Sequence, residues 1–104
     1  MPVTTIASHE IHVDDEGFMT VYDEWDETLA KSLAAAIGIE MSDDAWGPIR
    51  FMRSDFTSEG HTPTLRRIST VGGFDTKALF TMFPKKPAKK MAYIAGLPKP
   101  AGCV

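Results

Sequence analysis

Apolar and polar positions alternate over Ile11-His12-Val13, break at the polar run Asp14-Asp15-Glu16-Gly17, and resume at Phe18-Met19-Thr20-Val21. A period near two on both sides of a turn predicts a β-hairpin, with room for a third strand at Val3 to Ile6. The period then changes to that of helices. Asp23 and Asp26 are both suited to cap a helix running to about Ile37, with Leu29, Leu33, Ala36 and Ile37 as its apolar stripe and Gly38 as its left-handed stop. Ser42 and two aspartates open a longer helix, about Asp43 to Ser58, in which Ala45, Ile49, Met52 and Phe56 recur at helical spacing. Pro48 is expected to shift the start of that helix rather than break it. Thr62 is placed to cap a helix that begins at Pro63, with Leu65 and Ile68 inward and Arg66 and Arg67 outward. Asp75 caps a short helix ended by Pro84, and a last helix over about Pro87 to Ala95 carries Ala88, Met91, Ala92 and Ala95 on one face. From Leu97 to Val104 two prolines and a glycine interrupt any period, which predicts an extended, mobile arm.

With 104 residues and 43% apolar composition, one core is expected, over residues 1–96, followed by the arm at 97–104. The longest apolar runs are too short to cross a bilayer, and the first residues lack the basic and apolar regions of a secretion signal, so a cytoplasmic protein with no membrane partner is expected. Charge changes the picture more. Residues 1–48 hold eleven carboxylates against Lys31, a net −10, whereas residues 49–104 hold ten bases against Asp55, Glu59 and Asp75, a net +7. Two uses of this polarity stay open, an anionic partner for the basic half or attraction between the two halves.

Cys103 is the only cysteine, one residue from the end of the chain. It cannot form an intramolecular disulfide, and it stands at the wrong place for a prenylation box. Seven residues, Leu97 to Cys103, span at most about 23 to 25 Å when extended, enough to enter a pocket of another protein. Lys99 and the lysines of the last helix, Lys89 among them, favour its thiolate, and the nearby α-carboxylate opposes it. On position alone, an incidental cysteine on a frayed end competes with a reactive one. The helix pair before and after Gly60 has the spacing of a helix-turn-helix, but a lone Arg66-Arg67 is weak ground for DNA reading, and direct nucleic-acid binding is not expected. Arg50 and Arg53 share a helix side with Trp46, which suggests cation-π stacking or pairing with the acidic half. No metal site, cofactor, phosphate loop or serine triad is legible.

The run FPKKPAKKMAYIAGLPKPAGCV resembles the C-terminus of the DsrC/TusE/DsvC family of sulfur-relay proteins, and EGFMTVYDEWDETLAKSLAAAIGIE and AWGPIRFMRSDFTSEGHTPTLRR resemble its hairpin, first helix and central helix pair. The resemblance covers nearly the whole chain. It implies an α+β fold, a β-hairpin or three-stranded meander on an orthogonal array of about five helices, with a flexible C-terminal arm. It also implies a sulfurtransferase-type carrier, rather than a self-contained enzyme, that bears persulfide on Cys103, with Lys99, Lys89, Arg66 and Arg50 as candidate electrostatic support. The implied partners are an upstream relay complex and a downstream acceptor such as a tRNA 2-thiouridylase. Family members that work with dissimilatory sulfite reductase carry a second cysteine eleven residues before the last, and that position here is Ala92. Such members also have extra residues before the FP motif. Both departures favour the TusE-like branch over a gamma-subunit-like partner of sulfite reductase or a DNA-binding regulator. Lys85 and Lys86 stand where the family often has glycine.

Overall fold

The computed structural model of the chain describes residues 3–6 and 9–100. Val3–Ile6 (β1) and His9–His12 (β2) pair antiparallel, with Val3 opposite His12 and Ile6 opposite His9. The polar turn forms as its sequence suggests: Asp14 Oδ1 accepts from the N–H groups of Glu16 and Phe18, an Asx arrangement. The segment after it does not become a strand, and only Val13 and Met19 bridge. The reason lies at His12. Its carbonyl accepts from Thr20 N–H, but its own N–H, which a third strand would have taken, is donated to Glu24 Oε1 at 2.8 Å. Glu24 belongs to a 3-10 turn, Tyr22–Glu24, and its carboxylate also meets His12 Nδ1 at 2.7 Å. A side chain thus stands in for a ladder, and the regular pairing lies one segment earlier than the alternation alone suggested.

Five helices follow: α1 Glu27–Ala36, α2 Asp43–Glu59, α3 Leu65–Thr70, α4 Thr76–Met82 and α5 Pro87–Ile94. The molecule is therefore α+β, as the sequence indicates. Asp26, rather than Asp23, caps α1 by accepting from Leu29 N–H, while Asp23 is taken up in the 3-10 turn. The buried stripe of α1 is Leu29, Ala30, Leu33 and Ala34; Ala36, expected inside, is exposed because α1 turns it away from the sheet and α5. Pro48 does not shift the start of α2. It sits six residues in and is buried, so its packing against the core offsets the intrahelical bond that its missing N–H forgoes. Gly60, at φ 81°, ends the helix.

The core gathers around α5, which packs on α1, α2 and α4. Met91, Ala92, Ile94 and Ala95 are wholly buried among Ile49 and Met52 of α2, Ile68 of α3, Leu79 of α4 and Phe83. Ile11, Val13 and Met19 close a second cluster against Leu29 and Leu33. Burying a leucine or isoleucine side chain contributes roughly 1.5–3 kcal/mol, so the all-apolar face of α5 fixes where its two ends emerge. Its C-terminal end is where the arm begins.

Candidate functional site

Two long side chains hold the end of α5. Trp25 Nε1 donates to Ile94 O at 2.8 Å, and Arg53 Nη1 donates to Ala95 O at 2.8 Å. These satisfy carbonyls that a helix end leaves without partners. The Arg53 guanidinium is sandwiched between rings, its carbon 3.8 Å from the centre of Tyr22 and 4.1 Å from that of Trp25, and Nη2 donates to Tyr22 O. Burial lowers its pKa from the ordinary arginine value, against the opposing influence of Tyr22 and Asp23. Gly96 follows at φ 69°, and a Cβ there would lie 2.5 Å from Trp25 Cδ1. Only glycine can therefore make the turn beneath the indole.

Leu97 to Pro100, expected as the start of an extended arm, lie against the domain. Leu97 is completely buried and its N–H donates to Ala92 O at 3.0 Å. Thr62, expected as a helix cap, instead donates from Oγ1 to Pro98 O at 2.7 Å and is itself buried, while Thr64 caps α3 by accepting from Arg67 N–H. The difference arises because Pro63 is buried ahead of the helix, which starts only at Leu65. Lys99 Nζ meets Glu16 Oε1 at 3.1 Å, and Pro100 is buried. Cys103 lies outside the described residues.

Glu16 also lines a cavity of about 610 Å³ beside the arm. Tyr93 and Ile37 supply its apolar surface, Tyr93 packing edge to face at 6.0 Å on buried Phe18, and Lys85, Lys86, Lys89 and Lys90 supply its charge. Burial raises the Tyr93 phenol above its ordinary value. Lys85 and Lys86 adopt φ of 60° and 53°, a left-handed conformation that costs an L residue about 1–2 kcal/mol each. That gives a physical reason for the glycines common at these places in the resembled family.

Of the basic residues singled out in the sequence, Lys99 pairs with Glu16, and Lys89 lines the same cavity as Glu16. Arg50 is engaged elsewhere, with its Nη2 2.9 Å from Glu27 Oε2 and its guanidinium over Trp46. Arg53 stacks on Tyr22 and Trp25 rather than on Trp46. Arg66 is exposed on α3 and makes no ion pair among the described residues. Arg67 does not point outward. Its Nε and Nη2 chelate the buried Asp55 at 2.8 and 2.9 Å, and the hydrogen bond with Arg67 holds the Asp55 carboxyl below its ordinary value. A six-residue α3 with one of its two arginines committed inward offers little to a DNA groove. Among the described residues no group of three or more histidines, cysteines or carboxylates is placed to hold a metal ion. No described helix is long and apolar enough to cross a membrane. Trp25, Arg53 and Thr62 had no local signal, since each acts on a carbonyl 36 or more residues away.

The family model described as DsrC like protein matches residues 5–104. The Sulfurtransferase TusE of Salmonella typhimurium is 36% identical over 102 residues, covering 91% of this chain and 94% of that protein. The protein of the same name from Escherichia coli K12 is 34% identical over the same length and shares. Among solved structures, the crystal structure of dissimilatory sulfite reductase I (DsrI) superposes with a TM-score of 0.82 at 33% identity, covering 99% of this chain and 100% of that one. The oxidized gamma-subunit of the dissimilatory sulfite reductase (DsrC) from Archaeoglobus fulgidus gives 0.77 at 32% identity over 99% and 100%.

Proposed function

We propose, on the premise that this chain belongs to the DsrC-like protein family, that it is a cytoplasmic sulfur carrier bearing persulfide on Cys103 and feeding tRNA 2-thiouridine synthesis. The observation that carries the reading is the family match over nearly the whole chain, together with an arm root held by Trp25, Arg53, Gly96 and Thr62. The Cys103 thiolate attacks the outer sulfur of a donor persulfide. One S–S bond forms at Cys103, the donor's S–S bond breaks, and the electron pair leaves on the donor thiolate. The count of S–S bonds is unchanged, so no external oxidant or reductant is needed. Delivery repeats the exchange with Cys103 as the donor.

The contacts of the arm grade its release. The exposed Lys99–Glu16 pair contributes about 0–1 kcal/mol, the Thr62–Pro98 bond about 1 kcal/mol, and Leu97 burial roughly 1.5–3 kcal/mol. Leu97 therefore stays as the anchor, and the working arm starts after it. Six residues, 98–103, then span at most about 20–22 Å, against roughly 10–11 Å for the three that follow Pro100.

Incubation with a cysteine desulfurase and its relay proteins, followed by intact-mass measurement, is expected to show one added sulfur that Cys103→Ser abolishes. Uptake that survives the substitution, or no uptake from any donor, refutes the assignment. The likeness to the gamma-subunit of a sulfite reductase favours a second reading, association with that enzyme. With Ala92 on α5, Cys103 has no second cysteine in the chain to bridge to, and failure to co-purify with a sulfite reductase would exclude this reading.

A further inference from the structure

The four lysines of the cavity beside the arm are arranged at a cost. Lys85 and Lys86 are both left-handed, and four like charges crowd one opening in a protein whose net charge is −3. Among the described residues, no carboxylate pairs with these lysines. Lys85, Lys86 and Lys89 make no ion pair among the described residues, Lys90 Nζ donates only to Pro84 O, and Glu16, the one carboxylate of the lining, is held by Lys99. Beside these charges, half-buried Tyr93 and Ile37 offer an apolar surface, backed by buried Phe18. A ligand that satisfies both must be anionic and carry an apolar group.

We propose that this cavity docks an acidic segment of the protein that exchanges sulfur with the carrier, its carboxylates on Lys85, Lys86 and Lys89 and one apolar side chain on Ile37 and Tyr93. The proposal rests on the carrier reading and adds the place where the partner sits. Glu16 joins the cavity to the arm: it lines the one and pairs with Lys99 of the other. A partner acid arriving at the lysines competes for that neighbourhood, so docking and loosening of Lys99 are linked, and the partner is seated at the root of the arm it must receive. A long polyanion fits less well. Glu16 lines the cavity, and Asp14 and Asp15 precede it in the same turn, so a nucleic-acid backbone continuing past Glu16 would meet further negative charge, whereas a short acidic segment ends before it.

The test is persulfide transfer to the full chain from a cysteine desulfurase with its relay proteins, measured over donor concentration beside loading by inorganic polysulfide. For Lys85→Glu/Lys86→Glu the KM for the protein donor is expected to rise at least about tenfold, with kcat and polysulfide loading unchanged. Wild-type KM should climb between about 0.05 and 0.3 M salt, and the variant's should not. Lys85→Gly/Lys86→Gly separates docking from folding: relief of the left-handed strain leaves Tm equal or higher, yet KM should still rise several-fold. Wild-type KM in either variant overturns the proposal. So does labelled tRNA binding that both variants lose while transfer KM stays constant, a result that gives the lysines to RNA. A wild-type chain that takes sulfur from neither polysulfide nor protein donor refutes the carrier reading instead.

Discussion

A methyl group on Gly96 would stand 2.5 Å from Trp25 Cδ1 and 2.9 Å from the Met19 sulfur, on a backbone at φ 69°. Neither neighbour can retreat easily, because Trp25 is tied to Ile94 O and Met19 is fully buried. Gly96→Ala is expected to cost on the order of 3 kcal/mol, read as a lowered urea midpoint with an unchanged m-value; a loss below about 0.5 kcal/mol would show that the indole is not fixed. The glycine was legible as a helix stop. Its second duty, to let the chain pass under an indole, was not, because Trp25 lies 71 positions earlier and nothing local connects the two. Arg53 makes the same point: periodicity placed it beside Trp46 on α2, but the fold turns its guanidinium between Tyr22 and Trp25.

At the level of elements, the first part of the arm is held by pieces that came from three places. Leu97 is received by the core, Pro98 by Thr62 ahead of α3, and Lys99 by Glu16 in the polar turn. Thr62→Val keeps the side-chain volume and removes the donor. It is expected to lower stability by about 1 kcal/mol and to speed amide exchange at Lys99 while Leu97, bonded to Ala92 O, stays protected. Equal acceleration at Leu97 would mean that the arm releases as one piece. Absence of periodicity after Ala95 was a correct sign that no helix continues, but it could not tell a free segment from one laid along a groove. The displaced strand has a similar origin. Alternation marked Phe18 to Val21 as strand-like, yet the His12 N–H that would complete a third ladder is claimed by a carboxylate twelve residues on.

Across the whole molecule, the charge polarity of the sequence is only partly cancelled in space. Glu16 with Lys99 and Glu27 with Arg50 are the ion pairs between the acidic and basic halves among the described residues, both exposed. Lys85, Lys86 and Lys89, gathered at one cavity, make no ion pair among the described residues. Two pairs within the halves contribute to acid stability. The Glu24 carboxyl is lowered chiefly by the His12 backbone N–H and then by its ring, and Asp55 by its hydrogen bond with Arg67. Both titrate lower folded than unfolded. The stability they supply is complete above their ordinary values, 4.5 and 3.8, and drains as pH falls through the lowered ones. Urea midpoints should therefore drop between about pH 5 and pH 2, and Asp55→Asn should flatten that drop; an equally steep acid limb in the variant would show that Asp55 is not a source.

By itself, the sequence determined the α+β composition, the helix boundaries within a few residues, the cap at Asp75, and the family, because each is written in neighbours a few positions apart or in a motif read in one pass. Only the tertiary structure decided what holds the arm and what surrounds it. The Trp25 and Arg53 clamp, the Thr62 bond to Pro98 and the lysine cavity each join residues tens of positions apart, and such distances close only when burial of the α5 face has drawn the segments together.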